Sequence, residues 1–333
     1  MRAIVIHEYG PIGTHRVEDV AAPQAGPGEV VVAVKAVGLN FPDGLMLQGK
    51  YQNKPDRLPF VPGRDASGIV TEVGTGESRF RIGDRVLVQV FSGAFAEFVA
   101  APEQRCFAMA DDLDFVPGAA MITPYHTAFV AAVLRGDVKA GETVLVTGAA
   151  GGVGLAAVQL LKARGARVIA AVSSQEKADL VVDRGGADNV IFTHFDDLKG
   201  AFRSQIASIT GNTDGRGVDL AIDTVGGDVF DACLRILKFA GRLVIVGFAD
   251  GRIPAAKANY LLYNNLTVMG APLDVHFKHA FEEIEQGATE IGRLYTEGRI
   301  DPQVMQTLPL EQFVEGFDLI LSRQVKGKVV LTL

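Results

Sequence analysis

The stretch that decides the fold is Val144-Leu145-Val146-Thr147-Gly148-Ala149-Ala150-Gly151-Gly152-Val153-Gly154, which runs on into the apolar segment 155–162. Its pattern predicts a buried strand, a glycine turn and then a helix. Glycines in the turn let a pyrophosphate approach the main chain, and the helix N-terminus offers unpaired N–H groups and a partial positive charge. Ala149 stands where the first glycine of G-x-G-x-x-G would be, so the turn alone leaves open a glycine turn without a ligand.

A second apolar strand, Arg167–Val172, completes a βαβ unit of about 30 residues, the length that a dinucleotide site requires. An NAD site would place Asp or Glu at the end of this strand, on the ribose hydroxyls. Here the strand is followed by Ser173 and Ser174, with Lys177 one turn into the next helix. Two hydroxyls and a cation suit a 2′-phosphate, so the sequence predicts NADPH as the cofactor. The alternative is that Lys177 is an ordinary solvated helix residue.

Composition limits the classes of function. The chain has 333 residues, 48% of them apolar, which favours two domains with sizeable cores. A formal charge of −7 leaves no basic face for nucleic acid or an anionic membrane. Two isolated cysteines, Cys106 and Cys233, are too few for a disulfide framework and fit the reducing cytoplasm. We expect no membrane span, because no run of about 18 apolar residues occurs.

The order of the predicted elements indicates an α/β protein with two kinds of domain. Short Val/Ile/Phe-rich runs in residues 1–124 predict a compact, barrel-like β domain. Residues 125–264 open on a predicted helix at Thr127–Leu134 and then alternate strands with helices, which predicts a doubly wound parallel sheet. Residues 265–333 are expected to return to the first domain, with the last strand, Lys328–Leu333, joining its sheet.

Several short motifs in fixed order resemble one known family over essentially the whole chain. They are Gly38-Leu39-Asn40-Phe41-Pro42-Asp43, Gly49-Lys50-Tyr51, the segment 58–68 (LPFVPGRDASG), Gly83-Asp84-Arg85-Val86, the segments 141–146 and 149–154, and Gly327-Lys328-Val329-Val330-Leu331. The chain resembles the medium-chain dehydrogenase/reductase superfamily, in its zinc-free quinone oxidoreductase branch. The resemblance implies a GroES-like β-rich catalytic domain, a Rossmann NADPH-binding domain, a cleft between them, and cytoplasmic homodimers that pair through the Rossmann domain.

The positions that hold zinc in zinc-dependent relatives carry other residues here. Those relatives have a Cys and a nearby Asp or His where this chain has residues 39–41, and His-Glu where it has Arg64-Asp65. A catalytic zinc needs three protein ligands and an open position. Neither cysteine and none of the six histidines lies at these places, so we expect no metal. Without a Lewis acid for alcohol oxidation, a reductase is favoured.

The expected reaction is hydride transfer from the nicotinamide to a quinone or to an α,β-unsaturated carbonyl. By resemblance, Asn40 and Thr127 lie against the nicotinamide and the acceptor, and Tyr51 donates a hydrogen bond to the acceptor oxygen. Each has a purely structural alternative: Asn40 as a turn residue, Thr127 as a helix cap and Tyr51 as a covering ring. Asp43 is expected to order its loop, and His126 is either a proton donor or structural.

The predicted cofactor site draws on both kinds of argument. The residue pattern supports Gly151, Gly152, Val153, Ser173, Ser174 and Lys177, and the resemblance adds Asn40, Thr127, Thr193, Val225, Gly247, Phe248 and Arg323. Thr193 replaces a phosphate-binding tyrosine of relatives. Some quinone reductases have a tyrosine where this chain has Leu45, so a 2-enoyl thioester or an unsaturated ketone or aldehyde is an alternative acceptor. A protein that binds NADPH without turnover is a further alternative.

Overall fold

The computed structural model describes residues 1–333 and divides them into two compact units, 1–123 with 302–333, and 124–301. The first division lies next to the expected one, but the second falls at 301/302 rather than 264/265. Residues 265–301 remain with the second unit because Thr267–Gly270 pairs in parallel with the strand Leu237–Ile245. The helix Phe281–Thr296 also packs there, with Gly287 against the ring of Phe129.

The first unit is mainly β, as the frequent β-branched runs predict. Its elements are β1 (Arg2–Val5), β2 (Arg16–Asp19), β3 (Glu29–Gly38), α1 (Phe41–Leu47), β4 (Asp65–Val73), β5 (Arg85–Gln89), β6 (Phe98–Pro102) and β7 (Cys106–Ala108).

The helix α2 (Phe115–Phe129) begins in this unit and continues into the second, where a π-helical turn, Val130–Arg135, follows it. The expected helix at Thr127–Leu134 was therefore placed too late. The expected division after residue 124 falls inside this helix, which includes Pro124, where a proline is tolerated only as an exception. Thr127 consequently lies near the end of α2 and cannot be an N-terminal cap.

The second unit alternates strands and helices. Its elements are β8 (Thr143–Thr147), α3 (Gly152–Ala163), β9 (Arg167–Val172), α4 (Gln175–Asp183), β10 (Asn189–Phe192), α5 (Leu198–Thr210), β11 (Val218–Asp223), α6 (Gly227–Ile236), β12 (Leu237–Ile245), α7 (Ala258–Asn264), β13 (Thr267–Gly270), α8 (Leu273–His279) and α9 (Phe281–Thr296).

After residue 301 the chain supplies the last elements of the first unit, β14 (Val304–Pro309), α10 (Phe313–Leu321) and β15 (Lys328–Thr332). As expected, β15 joins the sheet of the first domain: it pairs antiparallel with β3, Val330 opposite Gly38. That seven-stranded sheet has the order β14-β15-β3-β4-β5-β7, with β6 on β3, and covers a core that includes Phe95 and Phe317. The first unit is the GroES-like domain.

The second unit contains a six-stranded parallel sheet in the order β10-β9-β8-β11-β12-β13. The order reverses between β8 and β11, and ligands of doubly wound sheets bind beyond the carboxyl ends of the strands at such a switch point. The glycine turn follows β8 and therefore lies at this point. None of the helices combines the length and the apolar character needed to cross a membrane.

Candidate active site

The glycine turn is held by close backbone contacts that only glycine permits. Gly148 has φ +58°, and a Cβ there would lie 2.5 Å from Thr224 Oγ1. A Cβ at Gly154 would lie 2.2 Å from the carbonyl oxygen of Gly148. The first turn of α3 thus touches the end of β8, which is the close helix–strand packing of dinucleotide folds.

The same turn leaves room for an anion. Gly151 is the N-cap of α3, and a Cβ at this position would meet only Gly148 O, at 3.4 Å. Gly152 and Val153 open the helix and are partly exposed. The first N–H groups of a helix lack intrahelical partners, so their positive end faces this space. These residues fit a pyrophosphate.

The three residues expected at a 2′-phosphate come together at the carboxyl end of β9. Ser174 caps α4 and accepts a hydrogen bond from the main-chain N–H of Lys177 at 3.4 Å. The ammonium Nζ of Lys177 donates to Ser173 Oγ at 3.3 Å. The cluster therefore gathers two hydroxyls, a cation and a helix N-terminus at one strand end, a donor set suited to a phosphate.

The neighbouring strand end carries the replacement for the relatives' tyrosine. Thr193 follows β10, and its hydroxyl donates to Val172 O at 3.3 Å, so its hydrogen is already engaged with the end of β9. His194 is exposed and stacks on Phe195, with 5.2 Å between ring centroids, and meets Phe192 edge-on.

A hydrogen-bonded link that sequence reasoning missed joins the two strands at the switch point. Thr147 Oγ1 donates to Asp223 Oδ1 at 2.6 Å, and Thr224 bonds to both the hydroxyl and the carbonyl of Thr147. Asp223 also accepts from the main-chain N–H groups of Val225 and Gly226 at 3.0–3.2 Å. Burial raises the pKa of Asp223, while these donors oppose that rise. Val225 is thereby fixed beside the glycine turn. The sequence feature that indicates this link is Asp223, a carboxylate at the end of an apolar strand.

The other sequence-predicted residues of the second unit have varied surroundings. Gly247 follows β12 and donates its N–H to Asp223 O at 3.4 Å, and Phe248 is 38% exposed. Thr127 is buried near the end of α2. His126 is buried edge-on against Phe277, and burial lowers its pKa to about 4. His126 is therefore neutral at pH 7 and carries no ready acidic proton.

In the first unit, Asn40 lies in a buried polar network. It is the N-cap residue of α1, and its Nδ2 donates to Asp65 Oδ2 at 3.0 Å and to Gly38 O at 3.2 Å. Its Oδ1 accepts from Lys328 Nζ at 2.8 Å. Asp65 also accepts from Thr123 Oγ1, at 2.5 Å. Asn40 is thus a turn residue, as its structural alternative predicts, and it is also a member of a side-chain network.

A second buried pair adjoins this network. Asp43 Oδ2 accepts from the main-chain N–H of Asn40 at 3.0 Å, so Asp43 orders the loop as expected. Its Oδ1 lies 3.7 Å from Arg64 Nε. The Arg64 guanidinium lies 5.2 Å from the ring centroids of both Tyr51 and Phe91. Tyr51 is therefore held against a buried cation by a cation–π contact.

Desolvation dominates the titration of these groups. It raises the pKa of Asp43 to about 7, although the Arg64 charge opposes the rise. It also raises the pKa of Asp65 and lowers that of Lys328, against the mutual attraction of the two groups.

The raised pKa of Asp43 predicts a pH-dependent stability. Unfolded chains release this proton near pH 4 and the folded chain near pH 7, so the folded state binds more protons between these values and loses stability as pH rises. From pH 5 to pH 8 this group should cost roughly 2–3 kcal/mol. Asp43→Asn, which cannot ionise, should lose that part of the pH dependence. Urea unfolding of both proteins at the two pH values measures it, and parallel pH profiles would contradict the assignment.

The residues of this network do not fit a catalytic zinc. No group of three or more His, Cys, Asp or Glu side chains is placed to hold a metal ion. The positions of the relatives' ligands contain Asn40, Arg64 and Asp65, and the ammonium of Lys328 lies against two of them. Two fixed cations at this place repel a metal ion.

Arg323 belongs to the first unit, where it follows α10 in a left-handed conformation, φ +60°. Its main-chain N–H donates to Ile320 O at 3.1 Å and closes the helix. Its side chain is exposed.

A GroES-like unit and a Rossmann unit with a glycine turn at its switch point define a nicotinamide-dependent oxidoreductase. Residues 26–111 match the family described as alcohol dehydrogenase GroES-like domain, and residues 152–287 match the one described as zinc-binding dehydrogenase. The quinone oxidoreductase-like protein 2 homolog of Nematostella vectensis is 36% identical over 99% of this chain and 88% of its own length.

Solved structures of relatives have the same fold as this chain. Escherichia coli quinone oxidoreductase complexed with NADPH superposes with a TM-score of 0.89 at 28% identity, over 100% of both chains. A mycobacterial protein complexed with NADPH gives 0.92 at 33% identity, also over 100% of both. The chain belongs to the medium-chain dehydrogenase/reductase superfamily and is a quinone oxidoreductase-like member of it.

Proposed function

We propose that this protein is an NADPH-dependent, zinc-independent reductase that delivers a hydride to a quinone. The observation that carries the proposal is the cluster of Ser173, Ser174 and Lys177 at the end of β9, beside a glycine turn that fits a pyrophosphate. No carboxylate ends β9, so nothing there selects the unphosphorylated ribose. The names and NADPH complexes of relatives support the same cofactor and acceptor.

When bound, NADPH would supply the hydride, and one proton from water would complete the hydroquinone. The protein's own contribution is to hold the acceptor and to stabilise the oxygen on which negative charge develops. We assign Tyr51 the hydrogen bond to that oxygen, and Asn40 and Thr127 contacts with the nicotinamide and the acceptor. The remaining proposed cofactor contacts are Thr193, Val225, Gly247, Phe248 and Arg323.

The cofactor preference is tested by Ser174→Asp. Aspartate is as good a helix cap as serine, so the fold should persist. Its charge should repel the 2′-phosphate and favour free ribose hydroxyls, lowering NADPH affinity by about a hundredfold and raising NADH affinity by about tenfold. Calorimetric titration with both cofactors measures the change. Ser204→Asp, on the exposed face of α5, adds the same charge elsewhere and should change neither affinity. Equal binding of NADH and NADPH by the unmodified protein would refute the assignment.

We also propose a homodimer formed through the Rossmann unit. The strand β13 is an edge of the parallel sheet, so its outer main-chain N–H and C=O groups have no neighbouring strand within the sheet. In the same unit the large apolar side chains of Phe239, Leu262 and Tyr263 are 79%, 84% and 93% exposed, and a second chain could cover them. Sedimentation equilibrium should give twice the chain mass, and Tyr263→Lys should shift it towards the monomer. A monomer in the unmodified protein would contradict this proposal.

Two buried, unbridged cysteines support a cytoplasmic location.

A further inference from the structure

Lys328 is a buried lysine at the start of a strand that is otherwise apolar. Its Nζ donates to Leu39 O at 2.7 Å and to Asn40 Oδ1 at 2.8 Å, and lies 3.9 Å from Asp65 Oδ2. Lysines are almost never fully buried, because their ammonium groups lose hydration. The next residues of β15, 329–331, are fully buried and apolar.

The amide of Asn40 has one orientation that this environment accepts. Both Nδ2 hydrogens are donated, one to Gly38 O and one to Asp65 Oδ2, and Oδ1 faces the ammonium of Lys328. Turning the amide over would set its NH₂ against the ammonium and its oxygen against the carboxylate. Lys328 and Asp65 together therefore discriminate between the two orientations electrostatically.

Stability alone does not account for this arrangement. Buried ion pairs are often no more stable than well-packed apolar replacements, because desolvation offsets their attraction. We propose that Lys328 is a positioning residue that fixes the side-chain amide of Asn40, the residue assigned above to the nicotinamide and acceptor. This inference rests on the proposed function only for its consequence in catalysis.

The fixed orientation determines what Asn40 can bind. With both N–H bonds engaged, the amide can offer a ligand only its oxygen Oδ1, which already accepts from Lys328 and faces the main-chain N–H of Asp43 in the capping box of α1. Asn40 therefore accepts a hydrogen bond and does not donate one. Its partner must be a donor, such as the carboxamide NH₂ of a nicotinamide, and the oxygen that gains charge must be stabilised by another group.

The test compares Lys328→Met with the unmodified protein, and with Lys35→Met as the control. Lys35 is exposed on β3, so its replacement makes the same charge change without touching the network. Protein labelled with ¹⁵N-asparagine gives the Asn40 side-chain signal, which is identified by its loss in Asn40→Ala. We expect the hydrogen exchange of this amide to be at least about tenfold faster in Lys328→Met and unchanged in Lys35→Met. An unchanged Asn40 signal and exchange rate in Lys328→Met would overturn the proposal, whatever the enzyme's activity. If Lys328→Met does not fold, Lys328→Met with Asp65→Asn, which leaves no unpaired charge, is compared with Asp65→Asn alone. Faster exchange of the Asn40 amide in the double variant is then the expected result, and equal exchange in the two variants would overturn the proposal.

A double-mutant cycle adds the catalytic readout. Lys328→Met should lower kcat about tenfold and weaken the NADPH Kd by no more than about threefold, because the glycine turn and the Ser173 cluster are untouched and only the nicotinamide contact of Asn40 is loosened. In an Asn40→Ala background the same substitution should cost less than about twofold, since there is no longer an amide to orient. Independent, additive effects would show that Lys328 does not act through Asn40. Absence of turnover in the unmodified protein would instead refute the proposed function and leave the exchange result standing.

Discussion

Gly154→Ala should abolish most cofactor binding and destabilise the protein. The added methyl would lie 2.2 Å from Gly148 O and 2.7 Å from the Cα of Ala149, and both are backbone atoms that cannot rotate away. The first turn of α3 would have to move off the end of β8, and the N–H groups that face the pyrophosphate would move with it. We expect NADPH affinity to fall by about a hundredfold or more, since binding there depends on preorganised donors.

The expected sign of the change in stability distinguishes the close contact at Gly154 from the ordinary effect of alanine in a helix. Replacing glycine by alanine inside a helix ordinarily stabilises it by about 0.5–1 kcal/mol. Gly292 in α9 has nothing within 4 Å of an added Cβ, so Gly292→Ala should stabilise the protein and leave cofactor binding unchanged. Calorimetric titration and thermal unfolding of both variants give the comparison. Gly154→Ala that binds NADPH like the unmodified protein would contradict the close contact of α3 with β8.

Arg64→Met should be among the most destabilising single substitutions in the first unit. It removes the cation that lies 3.7 Å from Asp43 and 5.2 Å from the ring centroids of both Tyr51 and Phe91, and leaves a fully buried carboxyl. At pH 8, where the Asp43 carboxyl is ionised beside Arg64, removing this partner should cost about 3–5 kcal/mol, because the carboxyl must stay charged without compensation or take up a proton. The double variant Arg64→Met with Asp43→Asn has no such charge and should recover most of the loss.

The control for this prediction is an exposed pair. Lys139 and Asp137 form an ion pair in which the side chains are 66% and 73% exposed. Lys139→Met should change the free energy of unfolding by less than about 1 kcal/mol. Urea unfolding of the three variants measures these differences. A double variant no more stable than Arg64→Met would show that the loss comes from packing and not from the orphaned carboxyl.

The strands of the Rossmann unit could be predicted closely because their sequence is locally decisive. Buried parallel strands are short continuous apolar runs bounded by glycine, and strands β8 and β9 coincide with the runs predicted from the sequence. The cluster of Ser173, Ser174 and Lys177 could be predicted equally well. Its members lie within five residues of one another, and a helix cap fixes their relative positions.

Other features could not be predicted because they depend on contacts between distant parts of the chain. The network of Asn40, Asp65 and Lys328 joins three segments through the pairing of β15 with β3, and no local pattern fixes that register. The one sequence feature that indicates this network is Lys328, a lysine directly before an apolar run. The second domain division was misplaced because β13 is short, and only its pairing with β12 assigns it to the Rossmann sheet.

In the proposed reaction, NADPH bound at the glycine turn reduces a quinone without zinc. The most direct measurement is steady-state loss of NADPH absorbance with phenanthrenequinone, benzoquinone, crotonyl thioesters and alkenals, before and after treatment with a zinc chelator. We predict turnover with the quinones that exceeds turnover with the enoyl substrates, that is much faster with NADPH than with NADH, and that the chelator leaves unchanged. Preference for the enoyl substrates would reassign the acceptor. No oxidation of NADPH with any acceptor would contradict the proposed reductase activity, and loss of activity on chelation would contradict its independence of zinc.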